Sequence, residues 1–144
     1  MRKILVTGAL GQIGAELVPA LRARYGAAQV VASDLRMRPG APEVEAGAFK
    51  HLDCTDIPAI HNLVQRHDIG AIYHLASILS AVAEEKPQAA WSLNMGGLYG
   101  ILEAAREHRC QVFARPHRSA PSARRRRRKI RPRSPSSARP PSMG

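Results

Sequence analysis

The stretch KILVTGALGQIG (Lys3–Gly14) constrains this chain more than any other. Lys3–Gly8 is a largely apolar run containing β-branched residues, and it stops at glycine, as a buried parallel strand does. From Gln12 to Arg24 the residues Ile13, Leu17, Val18 and Leu21 recur at helical spacing, with Pro19 inside the pattern as a source of a kink. A strand that gives way to a helix across a few glycine-rich residues is the opening of a βα unit. Such a unit needs a parallel sheet to cover it.

The rest of the chain to Phe113 continues that alternation. QVVASD (Gln29–Asp34) predicts a second strand, and the adjoining RPGAPEVEAG has no periodicity and predicts a loop. FKHLDCTD predicts a short strand ending near Leu52, with Thr55 or Asp56 capping a helix through about His67. IGAIYHLAS (Ile69–Ser77) predicts the fourth strand. A long helix fits Gln88–His108 with Trp91, Leu98, Leu102 and Ala105 on one side, Trp91 and Met95 being core residues in this reading. CQVF (Cys110–Phe113) starts a fifth strand. Right-handed crossovers then place the strands in the order 3-2-1-4-5 of a Rossmann-like α/β fold, a parallel sheet with flanking helices. Strand five would be left as an unpaired apolar edge.

Gly8, Gly11 and Gly14 make a GxxGxxG turn at the first strand–helix junction. The first glycine allows the sharp turn, the second lets backbone approach a pyrophosphate, and the third lets helix and strand pack closely. Unpaired N–H groups and the positive dipole end of the helix then face the phosphates. Any tight βα turn can use glycines, so the motif needs a companion. Asp34 supplies it, closing the second strand where a carboxylate can accept both hydroxyls of an adenosine ribose and repel a 2′-phosphate. This favours NAD; Arg36 and Arg38 nearby keep NADP open.

Charge divides the chain. Residues 1–113 carry 11 Lys+Arg and 11 Asp+Glu, whereas 114–144 carry 11 Lys+Arg and no acid, so the net +11 resides in the tail. Of its 31 residues, 26 are Arg, Pro, Ser or Ala, too little apolar side chain to offset ordering entropy. The expectation is a folded domain over 1–113, incomplete at its C-terminal side, and a disordered basic tail over 114–144. RRRRRK (Arg124–Lys129) could hold phosphate backbones through counterion release, without aromatic residues to stack on bases. Arg, Pro, Ala and Ser in such excess also describe GC-rich DNA read out of frame, and a frameshifted or truncated product is the expectation for this segment. Cys54 and Cys110 form no CxxC pair, and no signal-peptide or membrane-span pattern is present, which predicts free thiols and a cytoplasmic protein. No histidine stands at a metal-ligand spacing from Cys, Asp or Glu, so the spacing predicts no metal site.

With TGALGQIG, VVASD, LDCTD, YHLAS and WSLNMGGLYGILEAA in one order, residues 2–113 resemble the extended short-chain dehydrogenase/reductases, the NAD-dependent epimerases and dehydratases. HLASILSAVAEEKPQAAWSLNMGGL is most similar to the short-chain type of L-threonine 3-dehydrogenase. The resemblance implies that the Gly8–Gly14 loop, with the Gln12 and Ile13 amides, holds the pyrophosphate and that Asp34 holds the adenosine ribose. It implies that Asp53 and the Cys54 backbone lie against adenine, and that Leu75, Ala76 and Ser77 line the nicotinamide-ribose side. It places Ser80 toward an amino-acid substrate, and Asn94, grouped with the cofactor-binding residues, on the central helix, where the family uses an asparagine to bind the elements below the catalytic residues. By the residues alone, Asp53 could equally cap the next helix, Ser80 could be an ordinary loop serine, and His74 reads as a satisfied strand-end histidine.

Hydride transfer in that family uses a tyrosine base beside a lysine four residues on, whose charge favours tyrosinate. Here the residues four beyond Tyr25, Tyr73 and Tyr99 are Gln29, Ser77 and Glu103. The reading is an NAD-binding part of a threonine-dehydrogenase-like oxidoreductase with no catalytic residues of its own, its amino-acid substrate belonging to a longer relative. The alternative is a non-catalytic NAD-binding module whose tail binds nucleic acid. Oligomeric state is left open.

Overall fold

The computed structural model describes residues 2–78 and 80–114. Five parallel strands form one sheet in the order β3-β2-β1-β4-β5: β1 Lys3–Thr7, β2 Val30–Asp34, β3 Phe49–His51, β4 Ile69–His74 and β5 Gln111–Ala114. This is the Rossmann-like order expected from the sequence. The expected basic tail lies, beyond Ala114, outside the described residues.

The continuous apolar strands are explained by burial on both faces. Leu5 and Val31 point into one core with Ile60, Leu63 and Val64 of α3 (Ile57–Arg66) and Ile101, Ala104 and Ala105 of the last helix. Their neighbours Ile4, Val6, Val30 and Ala32 point into the other, against Val18 and Leu21 of α1 (Gln12–Tyr25). Period-two alternation is present in the geometry and hidden in the sequence because both faces are apolar.

α1 runs unbroken through Pro19 to Gly26. The segment expected to be a plain loop contains one helical turn, α2 (Pro42–Glu45), whose Val44 and Glu45 amides donate to Ala41 O. Four residues are too few to show a period. Asp56 caps α3, its carboxylate accepting from the Ala59 amide at 3.0 Å. Beyond β4 come α4 (Ser80–Glu85) and α5 (Pro87–Trp91), then a π-helical stretch at Ser92–Gly97 that leads into α6 (Leu98–His108).

That π-helical stretch corrects the expected face of the long helix. Trp91 and Met95 are not core: they are 70% and 47% exposed, and Tyr99 and Leu102 lie beyond them on the outside. Gly97, Gly100, Ile101, Ala104 and Ala105 face inward instead. Each residue inserted into a helical turn rotates all later residues by about 100°, so a straight 3.6-residue period does not predict faces across it.

A cleft at the carboxyl ends of the strands

The loops that leave β1, β2, β3 and β4 converge on a cleft of about 370 Å³. Open parallel sheets place ligands at this edge because successive crossovers there depart to opposite faces. The expected residues Gly8, Gly11, Asp34, Asp53, Cys54, Leu75, Ala76 and Ser77 all line it. Arg36, expected from the sequence near the ribose site, also lines it, as do Leu35, Leu52, Ile78, Val82 and Leu93, which were not singled out from the sequence. The position of Leu52 between a strand and Asp53 was the available signal for that residue.

The glycine turn is dictated by space. Gly8 has φ +69°, and a Cβ on it would lie 2.7 Å from the Ala76 amide nitrogen. A Cβ on Gly14 would lie 2.5 Å from the carbonyl oxygens of both Gly8 and Ala9. The first residue of the turn is therefore pressed against the loop after β4, and the third against the turn itself. Gly11 caps α1 in extended conformation, and the first turn of α1 holds no acidic side chain to neutralise the dipole. Gln12 and Ile13 open that helix, exposed at its free end.

Asp34 is buried at the end of β2, 7% exposed, and is not a solvated turn acid. Its Oδ2 accepts from the Leu10 amide at 3.0 Å and its Oδ1 from the Arg36 amide at 3.0 Å. The Arg36 Nε lies 3.6 Å from Oδ1 on a side chain otherwise turned to solvent. These contacts aim the carboxylate into the cleft and leave lone pairs free for two hydroxyl donors.

Asp53 does not cap α3. Its Oδ1 accepts from the Thr55 amide at 2.8 Å and the Thr55 hydroxyl at 2.7 Å, and these bonds hold its carboxyl below the ordinary aspartate range. Cys54 is 4% exposed, and burial pushes its thiol up to about 11. A thiol held protonated at neutral pH is a wall of the cleft, not a nucleophile. His74 is satisfied as expected, its Nδ1 sharing a hydrogen bond with Thr7 Oγ1 at 2.8 Å. Burial drives it down to about 4, so it is neutral at pH 7.

Asn94 acts from behind the cleft. Its Oδ1 accepts from the Ile78 amide at 2.8 Å and its Nδ2 donates to Ile78 O at 3.1 Å. This clasp fixes the loop that carries Leu75, Ala76 and Ser77 against the π-helical stretch. Ser80 begins α4, a short step along the chain from the His74 end of β4 and from this clasp.

The model of the NAD dependent epimerase/dehydratase family matches residues 4–117. The chain belongs to that family. An uncharacterized epimerase/dehydratase of Staphylococcus epidermidis is 47% identical over 113 residues, which are 78% of this chain and 36% of that protein. The L-threonine dehydrogenase of Clostridium difficile is 51% identical with a TM-score of 0.76, over 79% of this chain and 36% of the other. The UDP-glucose 4-epimerase of Thermus thermophilus, in complex with NAD, is 27% identical with a TM-score of 0.65, over 74% of this chain and 34% of the other. This member of the epimerase/dehydratase family thus spans about a third of the length of the relatives it matches. Among the described residues no helix is long and apolar enough to cross a membrane.

Proposed function

We propose that this chain is the NAD-binding part of an L-threonine-dehydrogenase-like oxidoreductase. One observation carries the reading: the buried Asp34 carboxylate, oriented by the Leu10 and Arg36 amides, faces the same cleft as the Gly8–Gly11 turn. The turn and the N-terminus of α1 would receive the pyrophosphate, with the Gln12 and Ile13 amides as donors. Asp34 would accept the adenosine-ribose hydroxyls, and the edge formed by Leu35, Leu52 and Asp53 would receive adenine. Leu75, Ala76 and Ser77 would border the nicotinamide ribose, with Asn94 holding their loop. The bound cofactor supplies a hydride acceptor.

Under this proposal only part of the reaction falls to this chain. It contains no Tyr-x-x-x-Lys, so it lacks the pair that would take a proton from a substrate hydroxyl. Ser80 and an amino-acid substrate belong to the activity of a longer relative. Likeness to L-threonine dehydrogenases at 51% identity supports that substrate class over a nucleotide sugar. A cytoplasmic setting fits the two free thiols.

Calorimetric titration of the 144-residue chain tests the proposal. NAD is expected to bind one to one, NADP more weakly, and Asp34→Ala to lose at least about tenfold in NAD affinity, as expected for a paired charged hydrogen-bond acceptor. No heat of binding with NAD, or equal binding by Asp34→Ala, overturns it.

A further inference from the structure

Away from the cleft, α3 and α6 bring together three side chains with metal-ligand chemistry. His61 of α3 and Glu107 and His108 at the end of α6 each offer one ligand atom, and these atoms all lie within 4.8 Å of one another. His61 Nδ1 is 3.4 Å from Glu107 Oε2. The two imidazoles meet edge to face, with centroids 5.4 Å apart and planes at 62°. Among the described residues, Nε2 of His108 is shut off from solvent and has no hydrogen-bond partner.

That last atom decides between two readings. A bare ion pair explains the approach of His61 to Glu107 but leaves the buried His108 nitrogen unsatisfied, an arrangement that is rare in folded proteins. A cation shared by His61 and Glu107 and taken by His108 through Nε2 would account for both. Two imidazole nitrogens and one carboxylate oxygen are a donor set that zinc-class ions take, at about 2.0–2.2 Å in tetrahedral geometry. Ligands at that radius and angle stand about 3.4 Å from each other, which is the His61–Glu107 separation. The backbone beneath is already held: Arg2 Nη2 donates to His108 O at 3.0 Å and its Nη1 to Arg109 O at 3.1 Å.

We propose that His61, Glu107 and His108 bind one divalent transition-metal ion of the zinc class, clipping α3 to α6. Glu107 is 62% exposed at its side chain, so the fourth position faces solvent and takes water.

The 144-residue chain, stripped with chelator and kept reduced, is titrated with Zn²⁺ by calorimetry and with Co²⁺ in the visible. One-to-one Zn²⁺ binding, a higher Tm with Zn²⁺ but not with Mg²⁺, and a Co²⁺ spectrum of tetrahedral intensity are the expected results. Glu107→Gln, a substitution on an exposed side chain that keeps the fold, weakens Zn²⁺ by about tenfold or more. His61→Ala and His108→Ala remove the Co²⁺ spectrum. Absence of stoichiometric Zn²⁺ binding overturns the proposal. So does Zn²⁺ affinity unchanged in Glu107→Gln together with either histidine variant, which puts the ion on other histidines or on the thiols.

Discussion

Thr7 and His74, the last residues of β1 and β4, join through Oγ1 and Nδ1 at 2.8 Å in the interior below the cleft. Both are buried, and the imidazole is held neutral by its surroundings. The pair ties together the two central strands at the point where their loops diverge to shape the site. Among the described residues, a charged imidazole in that place would have no carboxylate bonded to it.

This gives stability a defined pH dependence. In the unfolded chain His74 titrates near 6.5, in the folded chain near 4. Above 6.5 both states are neutral and the residue contributes its full share. Between 6.5 and 4 the unfolded state alone takes up the proton, so stability falls by about 1.4 kcal/mol per pH unit over that window. Urea unfolding at a series of pH values checks it. His74→Gln is expected to flatten the slope, leaving a smaller one from His67, whose pKa is also lowered by burial.

The glycines of the turn are expected to differ in tolerance. Gly14→Ala sets a methyl group 2.5 Å from two backbone oxygens and is expected to cost about 1–3 kcal/mol in stability, with NAD affinity falling alongside. Gly8→Ala adds a left-handed backbone strain to a similar clash. Gly11→Ala, whose nearest atom is 3.2 Å away, is the mild member of the series. Denaturation midpoints of the three variants measure the order.

Asn94→Leu leaves the Ile78 amide and carbonyl without their partner. The expected loss is about 1–3 kcal/mol, and the readout specific to this clasp is faster hydrogen exchange at the Ile78 amide while β1 and β2 stay protected.

Removal of residues 115–144 is expected to leave NAD affinity unchanged, because the described residues that line the cleft run from Gly8 to Leu93. Any affinity for nucleic acid should vanish with the same deletion and, before it, fall steeply with salt, since the tail holds all of the excess positive charge. Filter binding across a salt series separates the two effects.

Much of this protein was readable one residue at a time. The strand–turn–helix of Lys3–Tyr25, the strand order and the carboxylate at the end of β2 come from short-range rules: where apolar runs stop, which residues allow a positive φ, and how far a crossover reaches. Eight of the expected site residues line one cleft for the same reason, since parallel strands send every loop at their carboxyl ends to one edge. The outward face of the long helix was not readable. Trp91 and Met95 are apolar, yet they stand on the outside of a helical run whose period is broken by the π-helical turn at Ser92–Gly97.

The sequence by itself determined the fold class and the location of the cleft at the strand ends, because both depend on patterns within a few residues of each other. Tertiary structure decided the contacts between distant parts of the chain. It turned Asn94 toward Ile78, gave Asp34 its Leu10 amide, and drew His61 across to Glu107 and His108. No spacing rule anticipates that last cluster. Its members sit on two helices, and only the packing of α3 against α6 makes neighbours of residues far apart in the chain.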